Sequence, residues 1–296
     1  MNIICSNIEM SIMEWFYTIG NEFLNKLFYI ITQFGGSIVL IGILGIIYWC
    51  IDKEKGEKIG FSILTSICLN GVLKSLFMRK RPFQHEGKEY LQKLDGKDSA
   101  TGSSFPSGHS QNSGSLYTAL FKSSNNLFLR ISCILLIIFV PISRLYLGVH
   151  FPSDVVIGTL LGVVTTLICF FLLTRFNKHK MLIYVITIII FTQFIIFGNP
   201  EHDFCRGYGL LIGFVSGISV ENKFIRFENN VGIIKKLLRV CIGILIVGGA
   251  FFITNLIPKS ISHIPFMTIL IYGFISFLTI GVVPLMFKSP NNKNGI

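Results

Sequence analysis

The chain has few charged residues. Only 14% of its 296 residues are Asp, Glu, Lys or Arg, whereas soluble domains carry about a quarter. Acidic residues are the scarcer kind, with 15 Asp and Glu against 26 Lys and Arg, so the formal net charge is +11. Hydrophobic residues make up 51% of the chain, and the mean hydropathy is +0.66. These values argue against an ordinary soluble domain and predict a polytopic membrane protein.

Three further absences narrow the class. The apolar residues form long runs without the alternation of a half-buried strand, which predicts an all-α bundle of membrane helices. The basic residues lie mostly between these runs and form no RNA-binding signature, so we expect membrane lipid and no nucleic acid as a partner. None of the seven Cys forms a CxxC pair, and we interpret most of them as small apolar core residues.

Nine apolar runs are candidates for membrane spans. They cover residues 37–51, 59–78, 106–121, 127–142, 154–174, 181–197, 207–220, 237–257 and 265–287. Residues 9–34 mix charged and apolar positions with aromatic ones, which is typical of an amphipathic helix at the membrane interface. We expect residues 52–58 to form a tight charged loop, and 79–105 to form the longest polar connection.

The distribution of Lys and Arg predicts how the spans are oriented. If loop 52–58 is cytoplasmic, alternation places most other Lys and Arg residues inside as well. The same orientation brings three polar segments together on the extracytoplasmic side: 79–105, 143–154 and 198–206. We therefore expect a multi-pass protein of the cell membrane whose polar site faces outward.

Two cations end the second predicted span, in Lys74-Ser-Leu-Phe-Met-Arg-Lys-Arg81-Pro82. Seven residues are two helical turns, so the side chains of Lys74 and Arg81 leave the same face of the helix. A cation as deep as Lys74 is costly in a membrane without a partner, which favours a functional site. The alternative is an interfacial anchor of basic residues, and it fits Arg79 and Lys80 better than Lys74.

The sequence Pro-Ser-Gly-His at 106–109 opens the third predicted span. Pro at a first helical position predicts a helix N-terminus with free backbone amides, and such amides bind anions. Ser107 and Gly108 would present these amides, and His109 would place a proton donor beside the anion. The alternative is a helix cap with an incidental His.

The third polar stretch, residues 143–154, lies between the fourth and fifth predicted spans. Arg144 can only donate hydrogen bonds, and its planar guanidinium suits phosphate oxygens. His150 is a potential nucleophile or base. Asp154 falls in the first turn of the next helix, from where it can contact Nδ1 of His150 and leave Nε2 free to attack. The alternative is that these residues only cap helices and meet lipid headgroups.

Together the three stretches predict a phosphoryl-transfer site that needs no metal and no other cofactor. Lys74, Arg81 and Arg144 supply positive charge, and the amides near Ser107 and Gly108 supply hydrogen bonds to phosphate oxygens. His150 would attack phosphorus, Asp154 would orient His150, and His109 would protonate the leaving oxygen.

These residues carry a family resemblance. The stretches KSLFMRKRP (74–82), PSGH (106–109) and SRLYLGVHFPSD (143–154) resemble, in order and without a departure, the tripartite signature KX6RP, PSGH and SRX5HX3D of the type-2 phosphatidic acid phosphatase superfamily. The resemblance implies a six-helix core and a metal-independent phosphatase. It assigns His150 as the nucleophile, His109 as the acid and Asp154 as the orienting carboxylate. Phosphate contacts fall to Lys74, Arg81, Ser107, Gly108 and Arg144.

We therefore expect an enzyme that hydrolyses a phosphoric monoester or a diphosphate. It would consist of an N-terminal interfacial segment (1–36), a phosphatase core (37–175) and a C-terminal extension (176–296) with about three spans. The many spans favour a lipid phosphate or diphosphate substrate that arrives laterally through the membrane. Alternatives are a small soluble ester such as a hexose phosphate, a lipid phosphotransferase that uses the same site, and a non-catalytic lipid-phosphate binder.

A polar turn after the sixth predicted span falls on the same predicted side as the site. It contains Glu201, His202, Asp203 and Arg206. As a hypothesis, these residues cover the site and contact the substrate's head group. The alternative is a solvated turn.

Overall fold

The computed structural model describes residues 7–93, 102–258, 260 and 264–287, and within these residues the chain is helical and contains no strand. The α-helices are α1 (Asn7–Thr18), α2 (Glu22–Gln33), α3 (Ser37–Ile46), α4 (Lys53–Phe77), α5 (Gly108–Ser123), α6 (Leu127–Tyr146), α7 (Pro152–Arg175), α8 (Lys180–Phe197), α9 (His202–Val220), α10 (Ile233–Leu256) and α11 (Pro265–Phe277). Five-residue π-helical segments continue α3, α9 and α11. The predicted all-α fold is confirmed.

Six of the described helical segments are long and apolar enough to cross a membrane. They are built on α4, α6, α7, α8, α10 and α11. Helices α2 and α3 are bent by 45° relative to each other and make a seventh candidate if the pair counts as one span. Helices α5 and α9, which occupy the third and seventh predicted spans, are not among these candidates, so the count of nine spans stays a prediction.

Two local predictions differ from the observed helices. The amphipathic segment 9–34 is two helices, α1 and α2, and the side chain of Asn21 caps the second by accepting a hydrogen bond from the Leu24 amide. The charged residues 52–58 are mostly helical rather than a loop. Asp52 accepts hydrogen bonds from the amides of Glu54 and Lys55, so it starts α4 at once. The prediction of a loop at 52–58 is wrong because Asp52 caps a helix that the following charged residues continue.

The chain divides into two compact units, each discontinuous in sequence. The first unit comprises Met1–Ile41 and Ser66–Thr174, and the second comprises Gly42–Thr65 and Arg175–Ile296. Residues 94–101 of the long polar connection and 288–296 of the C-terminal tail lie outside the described residues. The predicted domain boundaries after residues 36 and 175 stay a prediction.

In the first unit, α5 and α7 pack closely. A Cβ added to Gly158 of α7 would lie 2.7 Å from the Ser107 carbonyl oxygen, so only glycine allows the start of α5 to approach this far. Farther along, the hydroxyls of Ser115 and Thr166 are 2.8 Å apart. The tight packing fixes the position of the α5 N-terminus relative to the start of α7.

In the second unit, buried charges lie beside opposite charges or carbonyl groups. Glu221 is 3.0 Å from Lys53, and Glu57 is 2.9 Å from Lys180. The buried Arg239 donates to the carbonyl oxygens of Trp49 and Glu228.

Candidate active site

The end of α4 brings in the first two predicted cations. Lys74 lies in the last turn of α4 and is buried. Arg81 follows the helix, and its side chain is almost fully buried. Its guanidinium donates to the Val149 carbonyl oxygen at 2.9 Å and the Gly102 carbonyl oxygen at 3.1 Å, and lies 3.2 Å from Nε2 of His150. Arg81 is therefore fixed directly against the predicted nucleophile.

The second stretch forms a capped helix start, but α5 begins at Gly108, so Pro106 lies two residues before the first helical position that was predicted for it. Ser107 is the N-cap of α5, and its side chain accepts a hydrogen bond from the Ser110 amide. Beneath it, Asn70 of α4 donates to the Pro106 carbonyl oxygen at 3.3 Å and to Gln111 at 2.8 Å. The position of a Cβ on Gly108 has only Asn70 Oδ1 within 4 Å, so the backbone there has space beside it. These contacts hold the amide end of α5 next to the last turns of α4.

The connection between α6 and α7 carries Arg144, His150 and Asp154. Arg144 is fully buried near the end of α6 and donates to Thr32 Oγ1 at 2.8 Å. Gly148 makes the turn with a φ of +73°, and a Cβ there would lie 1.8 Å from the Leu91 carbonyl oxygen. Glycine is thus required by both conformation and space. This turn directs His150 back toward Arg81.

His150 and Asp154 lie side by side. Nδ1 of His150 is 3.5 Å from Oδ2 of Asp154. Arginine can only donate hydrogen bonds, so its contact with Nε2 needs the Nε2 lone pair, and the proton of the neutral ring is then on Nδ1. The tautomer therefore presents a lone pair on Nε2 to the cations and an N–H toward the carboxylate.

The predicted cations act together on His150. Burial of the imidazole, together with the positive charges of Arg81, Arg144 and Lys74, holds the pKa of His150 well below its ordinary value. His109, in the first turn of α5, has its Nε2 3.8 Å from the Cβ position of Gly36. The structure thus brings the residues of all three sequence stretches into one site in the first unit.

Four further residues contribute to this site and were not predicted. Thr32 of α2 contacts Arg144, and Ser104 donates to Asp154 Oδ2 and lies 3.4 Å from His150 Nδ1. Arg79 contacts Asp154 at 2.7 Å, and Glu9 of α1 contacts Arg79 at 2.6 Å. The position of Arg79 inside the cationic stretch could have indicated its role. No local sequence pattern indicates a role for Thr32, Ser104 or Glu9.

The turn at 201–206 belongs to the second unit and opens α9. Glu201 is its N-cap, and His202 and Asp203 lie in the first turn. Arg206 is 4.0 Å from Asp203, and its guanidinium lies 4.9 Å from the centre of the Tyr272 ring. The role of these residues as a cover stays a hypothesis.

Two family models match the chain over most of its length. The PAP2 superfamily model matches residues 57–196, and the model described as "PAP2 superfamily phosphatase, transmembrane extension" matches residues 205–292. The first match contains all the predicted catalytic and phosphate-contacting residues, from Lys74 to Asp154.

Two curated relatives support the same family assignment. The chain is 31% identical over 177 residues to a phosphatidylglycerophosphatase B of Bacillus subtilis, covering 54% of this chain and 78% of that protein. It is 32% identical over 143 residues to an undecaprenyl-diphosphatase of Sulfolobus acidocaldarius, covering 47% of this chain and 66% of that protein. The crystal structure of Aquifex aeolicus LpxE aligns with 57% of this chain and 99% of its own, at 25% identity and a TM-score of 0.49. The chain belongs to the PAP2 superfamily and is a multi-pass membrane phosphatase.

Proposed function

We propose that the chain hydrolyses a lipid phosphate or diphosphate on the extracytoplasmic face of the cell membrane, through a phosphohistidine on His150. The observation that carries the proposal is the geometry of the imidazole. Its Nε2 is 3.2 Å from Arg81, and its Nδ1 lies on the side of Asp154. A nucleophilic imidazole needs its lone pair directed to where the phosphorus binds, and a carboxylate behind it that orients the ring.

The phosphate would bind where Nε2 now contacts Arg81. Lys74, Arg81 and Arg144 all act electrostatically on His150, so an anion at Nε2 would be attracted by the same three cations. The amides at the start of α5 add hydrogen bonds and the positive end of the helix dipole. Charge that develops on the non-bridging oxygens in the transition state is stabilised by groups already in place.

The reaction then has two steps. The Nε2 lone pair forms a bond to phosphorus, and the bond between phosphorus and the leaving oxygen breaks as His109 transfers a proton to that oxygen. The oxygen of a water molecule next forms a bond to phosphorus as the bond between phosphorus and Nε2 breaks. The water gives a proton to His109, and the products are phosphate and neutral His150. The Asp154 carboxylate stabilises the positive ring of the phosphohistidine between the two steps.

Three observations support a lipid substrate. Both curated relatives reported above are named for lipid phosphates, six described helical segments can cross a membrane, and many exposed side chains on these helices are large and apolar. A substrate with a lipid tail can enter such a protein from the bilayer with its phosphate at the interface. The outer location of the site rests on the basic residues of the opposite loops.

The test is phosphate release by the detergent-purified full chain in the presence of EDTA. The panel contains a polyprenyl diphosphate, phosphatidate, a sphingoid-base phosphate and glucose 6-phosphate. His150→Ala is expected to lower the rate at least about 10³-fold because the nucleophile is gone. His179→Ala is the matched control, since His179 is exposed and belongs to the second unit.

The outcomes separate the alternatives. Hydrolysis of one lipid with an inactive His150→Ala protein supports the proposal, whereas hydrolysis of only the sugar phosphate overturns the lipid substrate. In a His109→Ala variant given an ester with a good leaving group, a phosphoenzyme that is stable to alkali and labile to acid should accumulate. An active His150→Ala variant would exclude the phosphohistidine.

The side of the membrane can be tested by labelling in intact cells. Glu86 is exposed in the segment between α4 and α5, and Lys178 is exposed just before α8. We expect an impermeant maleimide to label Glu86→Cys in intact cells and Lys178→Cys only after permeabilisation, with the parent chain as the reference. The reverse pattern would place the site on the cytoplasmic side.

A further inference from the structure

Arg79 reaches the predicted catalytic centre because the chain changes direction just after α4. Met78 follows the helix with a φ of +42°, a left-handed conformation that non-glycine residues seldom adopt. Its amide still bonds to the Lys74 carbonyl oxygen at 3.0 Å. A strained residue of this kind persists where its neighbours are held firmly. Here the next residue, Arg79, is held by contacts on several sides.

The guanidinium of Arg79 contacts α1, α7 and the connection between α6 and α7. One nitrogen, Nη1, donates to Asp154 Oδ1 at 2.7 Å and to Ser153 Oγ at 2.7 Å. The other, Nη2, donates to Glu9 Oε2 at 2.6 Å. The plane also lies over the ring of Phe151, 4.3 Å from its centre. Arg79 is 3% exposed, so these contacts are made away from water.

Glu9 arrives from the N-terminal helix α1 and has more than one partner. Its Oε1 accepts hydrogen bonds from the amide and hydroxyl of Ser153 at 3.1 and 2.6 Å. Burial alone would raise the pKa of Glu9, but the hydrogen bonds from Ser153 and Arg79 outweigh it and hold the pKa below its ordinary value. Glu9 is therefore an anion beside Arg79.

The contacts of Asp154 divide between its two oxygens. Oδ1 faces Arg79, whereas Oδ2 accepts hydrogen bonds from Ser104 Oγ and the Phe151 amide and faces Nδ1 of His150. Arg79 thus fixes the rotation of the carboxylate from the side opposite the imidazole. With Glu9 ionised, the Glu9–Arg79–Asp154 group has one negative charge in excess, but without Glu9 the arginine would cancel the charge of Asp154.

We propose that Glu9 and Arg79 are positioning residues for the reaction: Arg79 sets the orientation of Asp154, and Glu9, supplied by α1, holds Arg79 and preserves the negative charge beside His150. The inference rests on the proposed roles of His150 and Asp154. If it is correct, α1 contributes to catalysis as well as forming a helix at the predicted membrane interface. The effect belongs to the chemical step, since neither residue contacts the proposed phosphate position.

Helix α1 offers a matched control. Its Glu14 forms an ion pair with Lys88 and is not among the contacts of Arg79 or Asp154. Met13 of α1 is buried against Leu91 and Phe151, so the helix is also held by apolar contacts that a change at Glu9 leaves in place. Glu9→Gln and Glu14→Gln therefore remove one negative charge each from the same helix, but only the first touches Arg79.

The experiment measures kcat and KM separately for the full chain in detergent, with the lipid that the parent hydrolyses best. We expect Glu9→Gln and Arg79→Gln to lower kcat by about 10-fold to 100-fold, with KM within about twofold, because a small displacement of a reacting group can cost about 100-fold in rate. Glu14→Gln should match the parent. Glu9→Asp should recover part of the loss, because the charge is kept.

A double-mutant cycle tests whether Arg79 acts through Asp154. Once Asp154→Asn has removed the carboxylate charge, adding Arg79→Gln should change kcat by less than about twofold. Full additivity, or a loss that appears only in KM, would overturn the inference. If Arg79→Gln does not fold, as judged by its thermal unfolding in detergent, the comparison of Glu9→Gln with Glu9→Asp and Glu14→Gln decides alone.

His150→Ala distinguishes the two proposals. An active His150→Ala protein means that the proposed mechanism has failed. An inactive His150→Ala protein combined with parental kcat values for Glu9→Gln and Arg79→Gln means that only the positioning inference has failed.

Discussion

The two compact units bury charge in different ways. In the second unit the carboxylates of Glu221 and Glu57 each lie within 3.0 Å of a lysine, so opposite charges compensate each other. The first unit pairs Arg79 with Asp154 and Glu9, but it also has three cations that act together on one imidazole. The contacts described for two of these cations, Arg81 and Arg144, are with carbonyl oxygens, the imidazole and a hydroxyl. Positive charges that lie close together repel each other, which disfavours folding, but they attract an anion. We therefore expect the paired charges of the second unit to stabilise the fold, and the three cations of the first unit to bind the substrate's phosphate.

The largest effect is expected at Gly148. Gly148→Ala places a Cβ 1.8 Å from the Leu91 carbonyl oxygen at a residue whose φ is +73°, so the turn that carries His150 cannot form as it does here. We expect loss of activity and a cost of more than about 4 kcal/mol, the range of exceptional substitutions. Thermal unfolding and phosphate release measure both.

Gly248→Ala is the control for Gly148→Ala in the second unit. A Cβ at Gly248 has nothing within 4 Å, and the residue lies inside α10. Alanine there should leave activity unchanged and add up to about 1 kcal/mol of stability. Equal behaviour of the two variants would contradict the requirement for glycine at 148.

The next effect falls on stability in the second unit. Glu221→Gln leaves Lys53 without its countercharge and weakens the acceptor of the Phe227 amide, which bonds to Glu221 at 3.0 Å. Breaking a buried pair costs about 3–5 kcal/mol, and the partial exposure of Lys53 places this pair at the lower end. We expect a lower unfolding temperature, with kcat per folded molecule close to the parental value.

Glu54→Gln is the control for Glu221→Gln, because Glu54 is exposed in the first turn of α4. Its unfolding temperature should match the parent's. A large loss of kcat in folded Glu221→Gln would mean that the paired charges of the second unit also serve the chemistry.

The opposite pattern is expected for Lys74→Met in the first unit. Removal of one of three neighbouring cations should lower kcat/KM by about 10²-fold, since positive groups near developing phosphate charge typically contribute this much or more. Relief of like-charge repulsion should keep the unfolding temperature at or above that of the parent. Lys26→Met, at an exposed position of α2, should change neither quantity.

A strong fall in the unfolding temperature of Lys74→Met, with normal kinetics, would contradict the division between the two units. It would mean that Lys74 stabilises the fold in the same way as the paired lysines of the second unit.

The smallest effect is on pH dependence. Burial and the three cations lower the pKa of His150, so the imidazole stays neutral below its ordinary pKa of about 6.5. The acid limb of kcat/KM, which reports the free enzyme, is therefore expected below pH 6.5. In Lys74→Met the limb should move to higher pH, because one charge that opposes protonation is gone.

Parent and variant are compared on the same substrate, so the ionisation of the substrate cancels in the difference. An acid limb that does not move in Lys74→Met would show that Lys74 does not act on His150.

Much of the site was predictable because its residues lie in short local patterns. The seven-residue spacing from Lys74 to Arg81, the helix start at Ser107 and the run from Arg144 to Asp154 each specify a chemistry within one stretch of chain. Membership in the PAP2 superfamily follows from the same stretches and is confirmed by the family models. The charged stretch 52–58 was predicted wrongly because a single capping residue, Asp52, outweighs the charges that follow it.

Hydropathy and motif spacing are local properties, so the membrane class and the helical fold follow from the sequence, as does the choice of the residues proposed to bind phosphate. The contacts that hold Asp154, by contrast, depend on how distant parts of the chain pack together. Its partner Arg79 is 75 residues away in the chain, and Ser153 is 144 residues away from its partner Glu9. An amphipathic pattern shows that a helix has a polar face, but which residue of that face enters a site depends on where the rest of the chain folds. The contacts of Glu9 with Arg79 and Ser153 therefore follow from the packing of the first unit, and the local sequence around residue 9 does not predict them.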